Sequence, residues 1–462
     1  MFNLPSMSSY SGYPQIQHAN NTDSTAVENN NFDSNTGLTN SNGAQSYGYG
    51  SFQPELVGSL QGVMTQMMSM MMTLMVTMLS QTSYRAGGFG NSLPHNTGNS
   101  PSTPKPTPVE TPMPPKQSSH SLGTDAQVDG NKIVLSNGQN FNVHGINIGG
   151  YLVPEDWMDG TKSGLGNDGR SGYQLLVKRF GQEQADKLIK ARQNNWITPS
   201  DLQNIKSIGY NTIRVPFSYQ SFPKKADGSY DFSAMDHIVK QAGALGLHVI
   251  PDFHVWEGQD QDYKAISGNS AEGAQERQNS SDLLKAFAQH YKGNGTILAI
   301  DEDNEATGSP NDQLQKQLYK AIREGDSNRA VMIESVSYGN FSKDGFTNAI
   351  FSSHYPPMDS EGLSSYINKF SDHARPVVIG EMHGEPDQVG SAVKQLNATG
   401  IGWINWNYKG VNVGNWALEN LPASHLDLQT ATYEEIQQAW SKQSLQNTKP
   451  NTALINAYQE GL

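Results

Sequence analysis

The 462-residue chain contains no cysteine. Disulfides, zinc–thiolate centres and thiol redox chemistry are therefore excluded. Positive charge is also scarce: 31 Lys and Arg stand against 44 Asp and Glu, a formal net charge of −13. That balance argues against nucleic acid or an anionic membrane surface as a general partner. A neutral polysaccharide is indifferent to it. The first fifteen residues, MFNLPSMSSYSGYPQ, have neither a basic n-region nor an apolar h-region, which excludes a Sec-type signal peptide there. There is no HExxH-type partner for His237 or His248 and no phosphate-cradling glycine loop. No metal and no cofactor are expected.

Apolar residues are few as well, at 35%, below the usual share for a globular domain. The shortfall lies mostly in the first 120 residues, which are rich in Asn, Ser, Gly, Thr, Gln and Pro. Residues 1–54 are expected to be a disordered targeting region. Residues 55–85 carry no charge between Glu55 and Arg85, and eight of the sixteen methionines fall between Met64 and Met78. Polar residues recur every fourth position, at Gln61, Thr65, Ser69, Thr73 and Thr77, so a helix here is apolar around most of its girth. Self-association or membrane contact would bury it. Residues 86–124 form a Pro/Thr-rich linker with eight prolines from Pro94 to Pro115. The Ser/Asn-rich, charge-poor start has the composition of bacterial type III secretion signals, so secretion without a Sec signal is the expected route.

Residues 125–462 alternate strand and helix patterns. Strands are expected at 141–148, 212–216, 248–252, 297–301, 330–333, 350–353, 376–379 and 402–406. Helices are expected at 174–194, 199–207, 233–245, 282–291, 314–324, 363–370, 389–396 and 433–440. Eight such alternations predict a (β/α)8 TIM barrel behind the N-terminal region, with its chemistry at the C-terminal ends of the strands.

Eight residues stand at those ends: Arg214, His254, Asn304, Glu305, His354, Tyr355, Glu381 and Trp406. Cleaving a glycosidic bond needs one protonated carboxyl beside the leaving oxygen and one ionised carboxylate below the anomeric carbon. Glu305 and Glu381, on the fourth and seventh strands, face each other across the barrel mouth. A carboxyl separation of about 5–5.5 Å makes such a pair a retaining one. Arg214 and Tyr355 suit a carboxylate partner. Asn304 suits a sugar 2-hydroxyl, the histidines suit hydroxyls and the acid, and Trp406 suits a sugar face.

The stretches NTIRVPF, VIPDFH, DNEATG, SSHYPP, VVIGEM and GWINWNYKG resemble the catalytic core of glycoside hydrolase family 5 over about residues 141–416. The resemblance implies Glu305 as acid/base and Glu381 as nucleophile. GGYLVPEDWM resembles the first-strand loop of the exo-β-1,3-glucanase branch. That likeness implies that Glu155 hydrogen-bonds the sugar in the cleaved subsite, with Trp157 nearby. Ala306 departs from the family's proline, and Asp301, Glu302 and Asp303 stand where the family is mostly apolar. Unshielded, those acids would favour protonated Glu305. Trp256 and Trp416 are candidate sugar platforms, with core packing as the alternative for each. Lys409 is expected as a rim contact or a solvated charge. The N-terminal part resembles, in composition, the harpin class of type III secreted helper proteins.

The expectation is a retaining glycoside hydrolase acting on a β-1,3- or β-1,4-linked glucan through two glutamates. Its rival is a harpin-like helper protein acting on membranes or partners, whose barrel only grips wall polysaccharide.

Overall fold

The computed structural model describes residues 122–462 apart from 124, 162–169, 256–269, 306–308, 335–344 and 371–374. The expected disordered segment, Met-rich helix and nearly all of the linker lie outside the described residues, as do Trp256 and Ala306. No described helix is long and apolar enough to cross a membrane.

An antiparallel sheet of β1 (Gln127–Asp129), β2 (Lys132–Val134) and β3 (Asn140–Phe141) comes first. The barrel strands follow as β4 (His144–Asn147), β5 (Thr212–Ser218), β6 (His248–Val255) and β7 (Ile300–Asp301). They continue as β8 (Val331–Glu334), β9 (Ala349–His354), β10 (Val377–Met382) and β11 (Gly402–Asn405). All eight pair in parallel, and β11 closes the barrel on β4. Described helices separate every consecutive pair but β8 and β9, whose connection lies mostly outside the described residues, and the barrel is the (β/α)8 fold that the alternation predicts. Helix starts follow local chemistry. At Pro199–Ile208, Thr198 and Asp201 form a reciprocal capping box with Pro199 in the first turn.

Both faces of each strand are covered, so β5 reads TIRVPFS with all seven residues buried. Period-two alternation sends every second side chain into the barrel. Ile250, Ala299, Met332, Ile350, Val378 and Ile404 form one apolar cluster with Ala126, just before the N-terminal sheet, and Ile133 within it. Two residues further along β6, β7, β8 and β9 the inward positions turn polar: Asp252, Asp301, Glu334 and Ser352, all buried. His254 and His354 come two residues later on β6 and β9. A greasy floor thus supports a polar tier, and the reactive groups stand on that tier. Gly380 serves it directly, because a Cβ there would meet His354 Nε2 and Ser352 Oγ, each at 2.7 Å.

Several details differ from expectation. The strand expected at 141–148 is β4 alone, with Phe141 in the antiparallel β3. The helix expected at 174–194 is two, Arg170–Phe180 and Gln182–Trp196, broken at Gly181 with φ of 82°. The helix expected from 282 begins at Ala271, capped by Ser270. Its first half buries Gly273, Glu276, Arg277, Ser280 and Ser281, a face without the apolar period that marks a helix in sequence. Lys409, expected at a solvated rim, is fully buried. Its ammonium pairs with Asp201 Oδ1 at 2.6 Å and donates to the Trp196 and Gln443 carbonyls. The same Asp201 caps the neighbouring helix, so the lysine satisfies a buried acid rather than facing water.

Candidate active site

Arg214 is the hub of the polar tier. It is fully buried on β5 and reaches four carboxylates: Glu381 at 2.8 Å, Asp301 at 2.9 Å, Asp252 at 3.1 Å and Glu334 at 3.2 Å. It also donates to Asn147 Oδ1 at 3.1 Å and Asn304 Oδ1 at 2.9 Å. Burial alone would depress its pKa, but the surrounding carboxylates hold it well above the usual value. The guanidinium stays charged and its planar fork fixes Glu381 and Asn304 together.

Glu381, buried on β10, accepts from Arg214 Nη1 on one oxygen and from the Tyr355 hydroxyl at 2.7 Å on the other. Burial and the nearby carboxylates raise the Tyr355 pKa, so its proton stays available to donate. Glu305 follows β7, exposed to the cleft with φ of 52°. That left-handed backbone is uncommon for a non-glycine residue. It is held by the Glu305 amide donating to Glu334 Oε2 at 2.5 Å. A carboxylate oxygen of Glu305, one of Glu381 and a ring nitrogen of His354 lie within 4.8 Å of one another.

His354 links the acids. Its Nε2 contacts Glu334 Oε1 at 2.6 Å, and its Nδ1 lies 3.4 Å from Glu305 Oε1 and 3.8 Å from Glu381 Oε2. Burial disfavours the imidazolium, but Glu334 and Glu381 outweigh it and hold the ring protonated. Burial likewise pushes the Glu305 carboxyl up, but the hydrogen bond and charge of His354 bring it below its ordinary value. The acidic run therefore does not act on Glu305 as the sequence suggests. Asp301 is bound to Arg214. Burial and the neighbouring acids raise the Glu302 carboxyl well above its ordinary value. A divalent cation would find ligand spacing at Glu305, His354 and Glu381. A doubly protonated imidazole offers it no lone pair, and the set suits proton traffic better.

The remaining expected residues line the same cleft. His254 Nδ1 contacts Asp252 Oδ2 at 2.8 Å. Burial would lower its pKa, but Asp252 lifts it to about 9. Its ring lies parallel to the Trp406 indole, centroids 5.7 Å apart at 8°. Glu155, half-buried, accepts from Trp157 Nε1 at 2.7 Å. Burial raises its carboxyl to about 7 against the charge of His254, while Glu381 and Glu305 push the same way as burial. Trp157 packs edge-on against Trp416 at 5.8 Å, and Trp416 lies against His383 at 3.5 Å. His383 meets Tyr355 at 6.0 Å. Burial lowers the His383 pKa to about 4, so this ring is neutral near pH 7.

The structure thus brings Arg214, His254, Asn304, Glu305, His354, Tyr355, Glu381, Trp406, Glu155 and Trp157 around one cleft. Sequence reasoning misses Glu334, Asp252, Asp301, Asn147 and His383. The available signal for Glu334 and Asp252 is their inward phase: each lies two residues beyond an apolar inward position, Met332 and Ile250.

The cellulase family, glycosyl hydrolase family 5, matches residues 177–412. "Probable glucan 1,3-beta-glucosidase A" of Aspergillus fumigatus is 24% identical over 287 residues, covering 56% of this chain and 68% of that one. "Beta-xylosidase" of Phanerodontia chrysosporium is 26% identical over 232 residues, 46% of this chain and 47% of that one. Among solved structures, a hyperthermophilic endocellulase from Pyrococcus horikoshii aligns over 70% of this chain and 99% of its own, with 15% identity and a TM-score of 0.44. The family match spans more than half of the sequence and contains both cleft glutamates. The chain belongs to the cellulase family, glycosyl hydrolase family 5, and is a glycoside hydrolase.

Proposed function

We propose that the chain cleaves β-glucosidic bonds of a glucan with retention of configuration, with Glu381 as nucleophile and Glu305 as acid/base. The observation that carries this reading is the proximity of the two carboxylates, whose oxygens come within 4.8 Å. Retaining pairs stand about 5–5.5 Å apart, whereas inverting pairs leave about 6.5–9.5 Å for a water. The glucan is supported by the family and by the names of the relatives above. The linkage preferred is β-1,3, supported by Glu155 and Trp157 beside the catalytic pair and by the glucan 1,3-beta-glucosidase relatives.

In the first step Glu381 attacks the anomeric carbon while Glu305 gives its proton to the departing glycosidic oxygen. A glycosyl ester forms and the chain beyond it leaves as an alcohol. In the second step Glu305 takes a proton from water, whose oxygen displaces Glu381. Arg214 and Tyr355 hold both oxygens of the nucleophile in line. Asn304, oriented by Arg214, is the donor for the 2-hydroxyl, and Trp406, buried with its ring parallel to His254, backs that side of the cleft.

The test is hydrolysis of β-1,3-glucan, cellulose and aryl β-glucosides by the full chain and two variants. Glu305→Gln loses about 10²–10⁴-fold on glucan, and Glu381→Ala loses on the order of 10⁴-fold or more. Unchanged turnover in either folded variant would falsify the assignment.

A further inference from the structure

One buried carboxylate touches Arg214, His354 and the Glu305 amide, three of the groups that hold the two cleft glutamates in place. Glu334 ends β8 and is 3% exposed. Its Oε1 contacts Arg214 Nη2 at 3.2 Å, His354 Nε2 at 2.6 Å and Ser352 Oγ at 3.3 Å. Its Oε2 accepts the Glu305 amide at 2.5 Å. Its own backbone carbonyl accepts from Gln315 Nε2. Gly380 leaves the space in which this carboxylate, Ser352 and the His354 ring converge.

We propose that Glu334 is a positioning residue for acid/base catalysis, setting the backbone of Glu305 from below and the charge of His354 beside it. The proposal rests on the assignment of Glu305 and Glu381 above. Glu334 reaches Glu305 twice, through the amide it accepts and through the imidazole that its charge keeps protonated. Its link to Glu381 is weaker, because Arg214 keeps Asp301 and Asp252 when Glu334 is gone. Loss of Glu334 therefore falls on acid/base catalysis more than on nucleophilic attack.

The charged and titratable groups facing Glu334 are Arg214 on β5, Asp301 and Glu302 beside β7, Glu305, and His354 on β9. His354 is the strongest influence on Glu334 after burial, and it acts on Glu305 more strongly than Glu334 does. Neutralising Glu334 lets His354 lose its proton. Glu305 then loses a cation that lowers its pKa and a weaker anion that raises it, and the net change is upward.

The experiment compares kcat/KM of the full chain and Glu334→Gln on β-1,3-glucan and on 2,4-dinitrophenyl β-glucoside. The nitrophenolate leaves without a proton, so its kcat/KM reports nucleophilic attack alone. The expected result is a loss of about 10²-fold on glucan, a dinitrophenyl value within about threefold of wild type, and an alkaline limb on glucan moved to higher pH. Asp301→Asn, which contacts Arg214 but neither His354 nor the Glu305 amide, lowers both substrates alike. Should Glu334→Gln not fold, Glu334→Asp keeps the charge but draws it back by a methylene from the Glu305 amide and from His354, and shifts the limb in the same direction by less. Equal losses on both substrates with an unmoved pH profile overturn the proposal. A wild-type rate unaffected by Glu305→Gln overturns the underlying assignment instead, which keeps the two failures separate.

Discussion

The Nδ1 of His354 lies 3.4 Å from Glu305 Oε1. A cation at that distance works against the acid that glycosidic cleavage requires. Burial favours the protonated carboxyl, but the hydrogen bond and charge of His354 draw it below its ordinary value. The protonated fraction of Glu305 is then greatest in acid, and kcat/KM falls as pH rises through the acidic range. Replacing His354 with Asn removes the cation, so this falling limb moves to higher pH even though the maximal rate drops. A pH–rate profile of the two proteins checks it, and an unmoved limb contradicts it.

Asp252 and His254 give a stability prediction. Against the effect of burial, Asp252 raises His254 from an ordinary 6.5 to about 9. A raised folded-state value binds the proton more tightly than the unfolded chain does. The contribution is fully present below about pH 6.5 and is lost as pH rises through about 9, up to about 3 kcal/mol. In Asp252→Asn the denaturant midpoint changes less between pH 6.5 and 9 than in wild type. A parallel pair of curves across that window rules the linkage out.

Glu155 carries a consequence of the same sign in a lower pH window. Burial holds its carboxyl at about 7 in the folded protein. Its share of stability is complete below about pH 4.5 and is lost as pH climbs through 7. Glu155→Gln is therefore more stable relative to wild type at pH 8 than at pH 5. If Glu155 also accepts a sugar hydroxyl, KM for glucan rises about tenfold in this variant. Thermal melts at the two pH values, with KM beside them, read both effects.

The rings of Trp157, Trp416, His383 and Tyr355 succeed one another along one side of the cleft. These rings meet edge-on or tilted, at 73°, 40° and 68°, and leave aromatic surface beside the two cleft carboxylates for the faces of glucose rings. Trp416→Ala raises KM by about tenfold for laminari-oligosaccharides and leaves aryl β-glucoside turnover near wild type. An equal effect on both substrates removes Trp416 from a distal subsite.

Much of this arrangement is visible in the sequence, for a definable reason. Strand ends in a parallel barrel are short apolar runs that stop at polar residues, and VVIGEM or DNEATG carry that change in a few letters. The chemistry-bearing glutamates stand at the stop. Glu334 is harder to see because it ends a strand, VMIE, with no companion motif. The next residues suggest only a connection, so it passes as a loop acid. Its phase with Met332 is the physical clue. Lys409 misleads because a lysine near glycines and aromatics looks solvated, and only the fold reveals Asp201 opposite it. The long helix from Ala271 to His290 hides for a related reason. It packs small and polar residues inward, so propensity and capping, rather than apolar period, mark its first turns.

The most direct test of the two-glutamate account follows the stereochemistry of the first product by proton NMR during hydrolysis of an aryl β-glucoside. Retention predicts that the β-anomer of glucose appears first and only later mutarotates toward the α-anomer. Initial release of the α-anomer would contradict a covalent intermediate on Glu381.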